Sequence, residues 1–116
     1  MAVVSSHTLN GVDGTHAGGI AVSLRNLTTD ETLFDTAMDE AGRLVCDIAK
    51  DWIDPTAKYE LIFATKGYWQ TRDLPRSGAQ IIDEVVVRFS MPDATARYHI
   101  PVILSPNSYS IWWSGE

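Results

Sequence analysis

The sequence predicts an all-β protein, an antiparallel β-sandwich of two sheets carrying one short helix. Three observations predict it. Ile20, Val22 and Leu24 alternate with Ala21, Ser23 and Arg25, the two-residue period of a half-buried strand. Residues 59–64, residues 81–89 with three consecutive valines, and residues 98–104 are apolar stretches rich in β-branched and aromatic side chains. Turn signals punctuate them, namely Asn10-Gly11, Asp13-Gly14, Gly18-Gly19, Asp54-Pro55, Arg76-Ser77-Gly78 and Met91-Pro92, and no long helical period intervenes.

The remaining elements follow in order. Residues 5–10 read as an N-terminal strand in which Ser5, His7 and Leu9 share one face. Asp39-Glu40-Ala41-Gly42 reads as a tight turn handing over to a short strand over residues 43–46. Residues 66–74 are mostly unbranched and form one or two helical turns that Pro75 would stop. Residues 108–114 read as a last strand, with Ser108, Ser110, Trp112 and Ser114 on one face and Tyr109, Ile111 and Trp113 on the other. Either the serine–tryptophan face borders a pocket for a flat polar ligand, or one face simply packs in the core.

Composition bounds the function. The 116 residues make a single domain over 1–116. Nine Lys and Arg against 15 Asp and Glu leave a net charge of −6, which argues against a nucleic-acid partner. No apolar run approaches the roughly 20 residues that cross a bilayer, and no secretory signal pattern opens the chain. Cys46 is the lone cysteine, so no intrachain disulfide forms; it reads as a packed hydrophobe. A cytoplasmic protein without membrane contact is the expectation.

Chemistry must come from few groups. The histidines are His7, His16 and His99. Taken singly, His7 and His99 read as structural or rim residues, and His16, among Gly14, Thr15, Ala17 and Gly18, as a solvated loop residue. No H-x-H or H-E-x-x-H spacing suggests a metal, and no G-x-S-x-G elbow or phosphate-binding glycine loop is present. Neither metal nor cofactor is expected.

Three segments together carry a family resemblance. Ser6-His7-Thr8-Leu9-Asn10 followed by Asp13-Gly14 resembles the S/T-H-V-L-D…G opening of the 5-hydroxyisourate hydrolases, the transthyretin-related proteins of purine breakdown. Asp39-Glu40-Ala41-Gly42-Arg43 is similar to their T-D-x-D-G-R segment. The run from Tyr98-His99-Ile100-Pro101 to Ser105-Pro106-Asn107-Ser108-Tyr109-Ser110 is close to their Y-H-V-P-L-L-L-S-P-x-S-Y-S. Lys58-Tyr59-Glu60-Leu61-Ile62-Phe63 and Gly67-Tyr68-Trp69 fit the same order, so the resemblance covers nearly the whole chain.

That resemblance implies a transthyretin-like sandwich, a homotetramer built as a dimer of dimers, and a site in a channel where subunits meet. It implies His7, His99 and Arg43 as the catalytic groups, while the strand alternation places Leu9, Ser110, Trp112 and Ser114 toward a small heterocyclic substrate. The implied activity is hydrolysis of a cyclic amide bond in a urate-like ring. The chemistry is coherent: a guanidinium holds a flat carbonyl edge with paired hydrogen bonds, and two imidazoles divide base and acid roles.

The tail departs from the family ending Y-S-T-Y-R-G-S. Ile111 stands for the threonine, Trp112 for the tyrosine, Trp113 for the arginine, Ser114 for the glycine and Gly115 for the terminal serine, with Glu116 beyond. His16-Ala17 departs from the x-P-A that usually follows the first loop. Two other readings follow from these departures, a relative retargeted to another heterocycle and a non-catalytic binder like transthyretin itself. His7, Arg43 and His99 favour an enzyme, since a binder of hydrophobic ligands has no need of two imidazoles.

Overall fold

The computed structural model describes residues 1–72 and 78–115. Among the described residues nine strands form two sheets: β1 (Ala2–Asn10), β2 (Ala21–Asn26), β3 (Glu31–Ala37), β4 (Arg43–Ile48), β5 (Tyr59–Phe63), β6 (Val85–Phe89), β7 (Arg97–His99), β8 (Val102–Ser105) and β9 (Ser108–Ile111). One sheet runs β4-β1-β8-β9, with β7 also on β1; the other runs β3-β2-β5-β6. The expected sandwich is present. Within the first sheet β7 and β8 run parallel to β1, while every other pairing is antiparallel. The chain returns to β1 from the far sheet, so no hairpin forces it to reverse direction there.

Alternation decides which face is which. Along β1, Ala2, Val4, Ser6, Thr8 and Asn10 are buried, while Val3, Ser5, His7 and Leu9 are half-buried and face outward. The inner side chains Val4, Val102 and Leu104 meet Leu24, Leu61, Phe63 and Val85 of the second sheet, and none is more than 1% exposed. Each such burial contributes roughly 1.5–3 kcal/mol. The buried polar side chains are satisfied: Asn10 Nδ2 donates to the Tyr68 hydroxyl at 3.0 Å, and its Oδ1 accepts from the Val12 amide at 2.9 Å.

Several elements differ from expectation in extent. The helix α1 covers Thr65–Gln70, starting one residue earlier and ending sooner than residues 66–74. Its buried Tyr68 and Trp69 anchor it, and Arg72 stacks on the Tyr68 ring 4.2 Å from its centroid. The Leu74 end, the Pro75 stop and the Arg76-Ser77 turn signal lie outside the described residues, as does Glu116. The stretch 81–89 is strand only from Val85, because the Ile81 and Ile82 amides are taken by Asn107 Oδ1 at 2.9 and 3.2 Å. The stretch 98–104 divides into β7 and β8 at Pro101, which has no amide hydrogen for the ladder. The strand β3 carries no apolar alternation and is mostly exposed, an edge held by pairing to β2 with only Leu33 and Phe34 partly buried against the core.

One glycine ties the sheet edge to the future site. Gly42 has φ of +71°, and a Cβ there would lie 2.5 Å from the Thr8 carbonyl oxygen. Its own carbonyl accepts from the Thr8 amide at 2.8 Å. Asp39 Oδ1 closes the same turn by accepting from the Ala41 and Arg43 amides, both at 2.9 Å. Gly42→Ala is therefore expected to destabilise the fold by roughly 2–4 kcal/mol, from left-handed strain plus a backbone clash. A urea midpoint indistinguishable from the parent's would count against this account.

Candidate active site

The outward face of the first sheet can be read off its pairings. Across the strands, His7 on β1 stands opposite Arg43 on β4. Ser5, two residues earlier, lies between Val45 on β4 and His99 on β7. Leu9, two residues later, is beside Ile103 on β8, which in turn faces Ser110 on β9. Directly opposed residues project to the same side of a sheet. The unbroken register from Ser5–His99 to Thr8–Val102 puts Pro101 beside His7.

The tail continues this pattern past β9. The Trp112 amide donates to the Pro101 carbonyl at 3.3 Å, and Ser114 bridges His99 through its amide, which donates to the His99 carbonyl at 2.8 Å. Residues 108–114 thus keep the expected alternation, and Ser110, Trp112 and Ser114 fall on the His99 side. The structure brings all seven residues, Arg43, His7, His99, Leu9, Ser110, Trp112 and Ser114, into three adjacent lines across one face. Strand spacing and rise put the His7 and His99 Cα atoms about 8 Å apart, room for a flat ring or a water between the imidazoles.

Each polar group has a defined environment. The Ser5 hydroxyl and His99 Nδ1 share a hydrogen bond of 2.8 Å, which orients the ring and turns its Nε2 edge away from Ser5. Burial holds the His7 pKa below its ordinary value, and the Arg43 guanidinium, then His16 and more weakly His99, press it the same way; the Ala41 carbonyl opposes them. Three other cations are ion-paired: Arg25 with Asp30, Arg88 with Glu60 at 2.9 Å and Lys66 with Asp83 at 3.0 Å. Among the described residues no carboxylate pairs with Arg43, so its guanidinium is available to a ligand.

His16 corrects the reading of a merely solvated loop residue. It is exposed, yet its Nδ1 lies 2.9 Å from His7 Nε2, with the ring centroids 4.9 Å apart. The signal was in the two turn pairs: a reversal over Gly11–Gly14 pairs residue 10 with 15 and therefore residue 9 with 16, which puts His16 on the face of Leu9. Cys46 is half-buried against the core, and burial, with Asp47 beside it, raises its thiol pKa, so it is an unreactive packing group.

A second concavity lies at the open side of the sandwich between β6 and β9. It is a groove of about 520 Å³ bordered by Phe89, Tyr98, Ile100, Ile111, Trp112 and Trp113. Trp112 therefore touches both this groove and the line of His7. Among the described residues no three His, Cys, Asp or Glu side chains are grouped to hold a metal ion, and no helix is long and apolar enough to cross a membrane.

Known proteins share this fold. The chain is 26% identical over 114 residues to a 5-hydroxyisourate hydrolase of Pseudomonas aeruginosa, covering 97% of this chain and 90% of that one. It is 27% identical over 115 residues to that of Deinococcus radiodurans, covering 94% and 92%. The structure of Klebsiella pneumoniae 5-hydroxyisourate hydrolase superposes with a TM-score of 0.78 at 23% identity, over 99% of this chain and all of that one. An (S)-allantoin synthase superposes at 0.80 and 21% identity, over 98% of this chain and 44% of that one. The two likenesses to solved structures establish the sandwich, and the family model for HIUase/Transthyretin matches residues 4–113, from the third residue of β1 to the tail tryptophans, so the chain belongs to the HIUase/Transthyretin family.

Proposed function

We propose that the protein is a hydrolase of a cyclic amide bond in a urate-like heterocycle, with 5-hydroxyisourate, the substrate named for its relatives, as the substrate. The observation that carries this reading is the register His7–Arg43 beside Ser5–His99, which gathers two imidazoles and an uncommitted guanidinium on one face. Arg43 holds the flat edge of the ring by paired hydrogen bonds. His7, kept neutral by its surroundings, takes a proton from water as the oxygen attacks a ring carbonyl carbon. The C–N bond then breaks and the leaving nitrogen takes a proton from His99. Hydroxide has gone to carbon and hydrogen to nitrogen, and the two rings return to their starting states by exchanging a proton through solvent.

Leu9, Ser110, Trp112 and Ser114 supply the wall around the ring. Val45, 70% exposed, and Ile103 flank the polar groups with apolar surface, which suits a face covered by another copy of the chain. The strands β6 and β9 are sheet edges, and pairing such edges between subunits protects them. Both features support a homotetramer built as a dimer of dimers, with the site at the covered face.

The test is the ultraviolet decay of freshly generated 5-hydroxyisourate with and without protein. Acceleration proportional to protein is expected. Folded protein that leaves the decay at its spontaneous rate would overturn the substrate assignment. Trp112, in the line of His7 and larger than the family's tyrosine, favours a second reading in which the same groups open a different cyclic amide; turnover of such a ring in the absence of any effect on 5-hydroxyisourate would select it.

A further inference from the structure

The first loop brings to the site a residue type that the family motif does not contain at that position. Buried Asn10 organises this loop by accepting from the Val12 amide at 2.9 Å and donating to Tyr68. Asp13 caps its far side, accepting from the Thr15 amide at 2.9 Å. The Asn10 amide donates to the Thr15 carbonyl at 2.8 Å and the Ala17 amide to the Thr8 carbonyl at 2.9 Å, so residues 15–17 run as a short antiparallel partner to the end of β1. His16 is thus held in a backbone pairing opposite Leu9, and its Nδ1 meets Nε2 of His7 at 2.9 Å.

We propose that His16 is a positioning residue for His7, fixing its ring beside Arg43 and tying its protonation to that of a second imidazole. This rests on the reading of His7 as the proton acceptor. A nitrogen–nitrogen hydrogen bond needs one donor and one lone pair. Two doubly protonated rings would aim N–H against N–H, so the pair resists carrying two charges. The groups acting on His7 from the elements around it are Arg43 on β4, His16 on the loop and His99 on β7, all disfavouring its charge, against the Ala41 carbonyl of the turn. Among the side chains of that set, His16 is the one hydrogen-bonded to the ring, at 2.9 Å.

The experiment follows the ring proton resonances of His7 against pH in the parent, His16→Ala and His16→Asn, alongside the pH profile of kcat/KM. In His16→Ala the His7 titration is expected to move to higher pH, and the acid limb of the profile to move with it. The rate at neutral pH is expected to fall on the order of 10-fold, short of the 10²-fold that a misplaced group can cost. His16→Asn, whose amide oxygen can still accept from His7 Nε2–H but carries no charge, is expected to recover most of the rate while its titration stays shifted. An unmoved His7 titration in His16→Ala would overturn the proposal, as would a rate loss with an unchanged profile, which marks a structural role. The resonance titration needs no substrate, so a failure of the hydrolase reading remains distinct from a failure of this one.

Discussion

Replacing His7 or His99 by alanine is expected to lower kcat/KM for the cyclic amide by about 10²- to 10⁴-fold, the range of a positioned acid or base. Both side chains are half-buried on the outward face and outside the core, so thermal unfolding should stay near the parent's. The pH profile adds a sign. His7 titrates below its ordinary 6.5 because burial and then Arg43 disfavour its charge. Between that lowered value and 6.5 the ring is still neutral in the folded protein. Activity should therefore persist as pH falls past 6.5 and fail only lower down. Full turnover in both alanine variants would remove the imidazoles from the mechanism.

Arg43→Lys is expected to reduce kcat/KM on the order of 10- to 100-fold, since an ammonium keeps the charge but loses the forked geometry, and a charge-assisted hydrogen bond contributes about 1.5–3 kcal/mol. Arg43→Ala should cost more. If Arg43 orients the ring in the ground and transition states alike, the loss will appear in KM; if it tightens on the developing oxyanion, it will appear in kcat. Either split supports contact with substrate. An unchanged kcat/KM in both variants would show that the guanidinium, though unpaired with any carboxylate among the described residues, faces solvent alone.

Much of the fold was legible because strand periodicity is local. The alternation of Ile20, Val22 and Leu24 and the apolar run that became β5 needed no tertiary information. What escaped was set by partners distant in the chain. The strand β3 has no apolar face to announce it; pairing with β2 makes it a strand. Residues 81–84 have the composition of a strand, yet Asn107 captures the amides of Ile81 and Ile82. The helix is shorter than its composition allows, because Tyr68 and Trp69 make their burial in the first turns.

The candidate site divides along the same line. His7, Arg43 and His99 came from motif resemblance, and the face shared by Ser110, Trp112 and Ser114 came from a two-residue period that the tail maintains through Pro101 and His99. His16 did not, since a histidine between glycines looks like loop until the hairpin register is counted.

By itself, then, the sequence determined the strand character of the alternating and apolar stretches, which residues of such a strand share a face, and the identity of the polar groups, because alternation and residue type are carried by neighbouring positions. The tertiary structure alone decided which strands lie side by side, and hence that Arg43 stands against His7 and His99 against Ser5. Those juxtapositions depend on backbone hydrogen bonds between segments up to 94 residues apart, whose register no local pattern encodes.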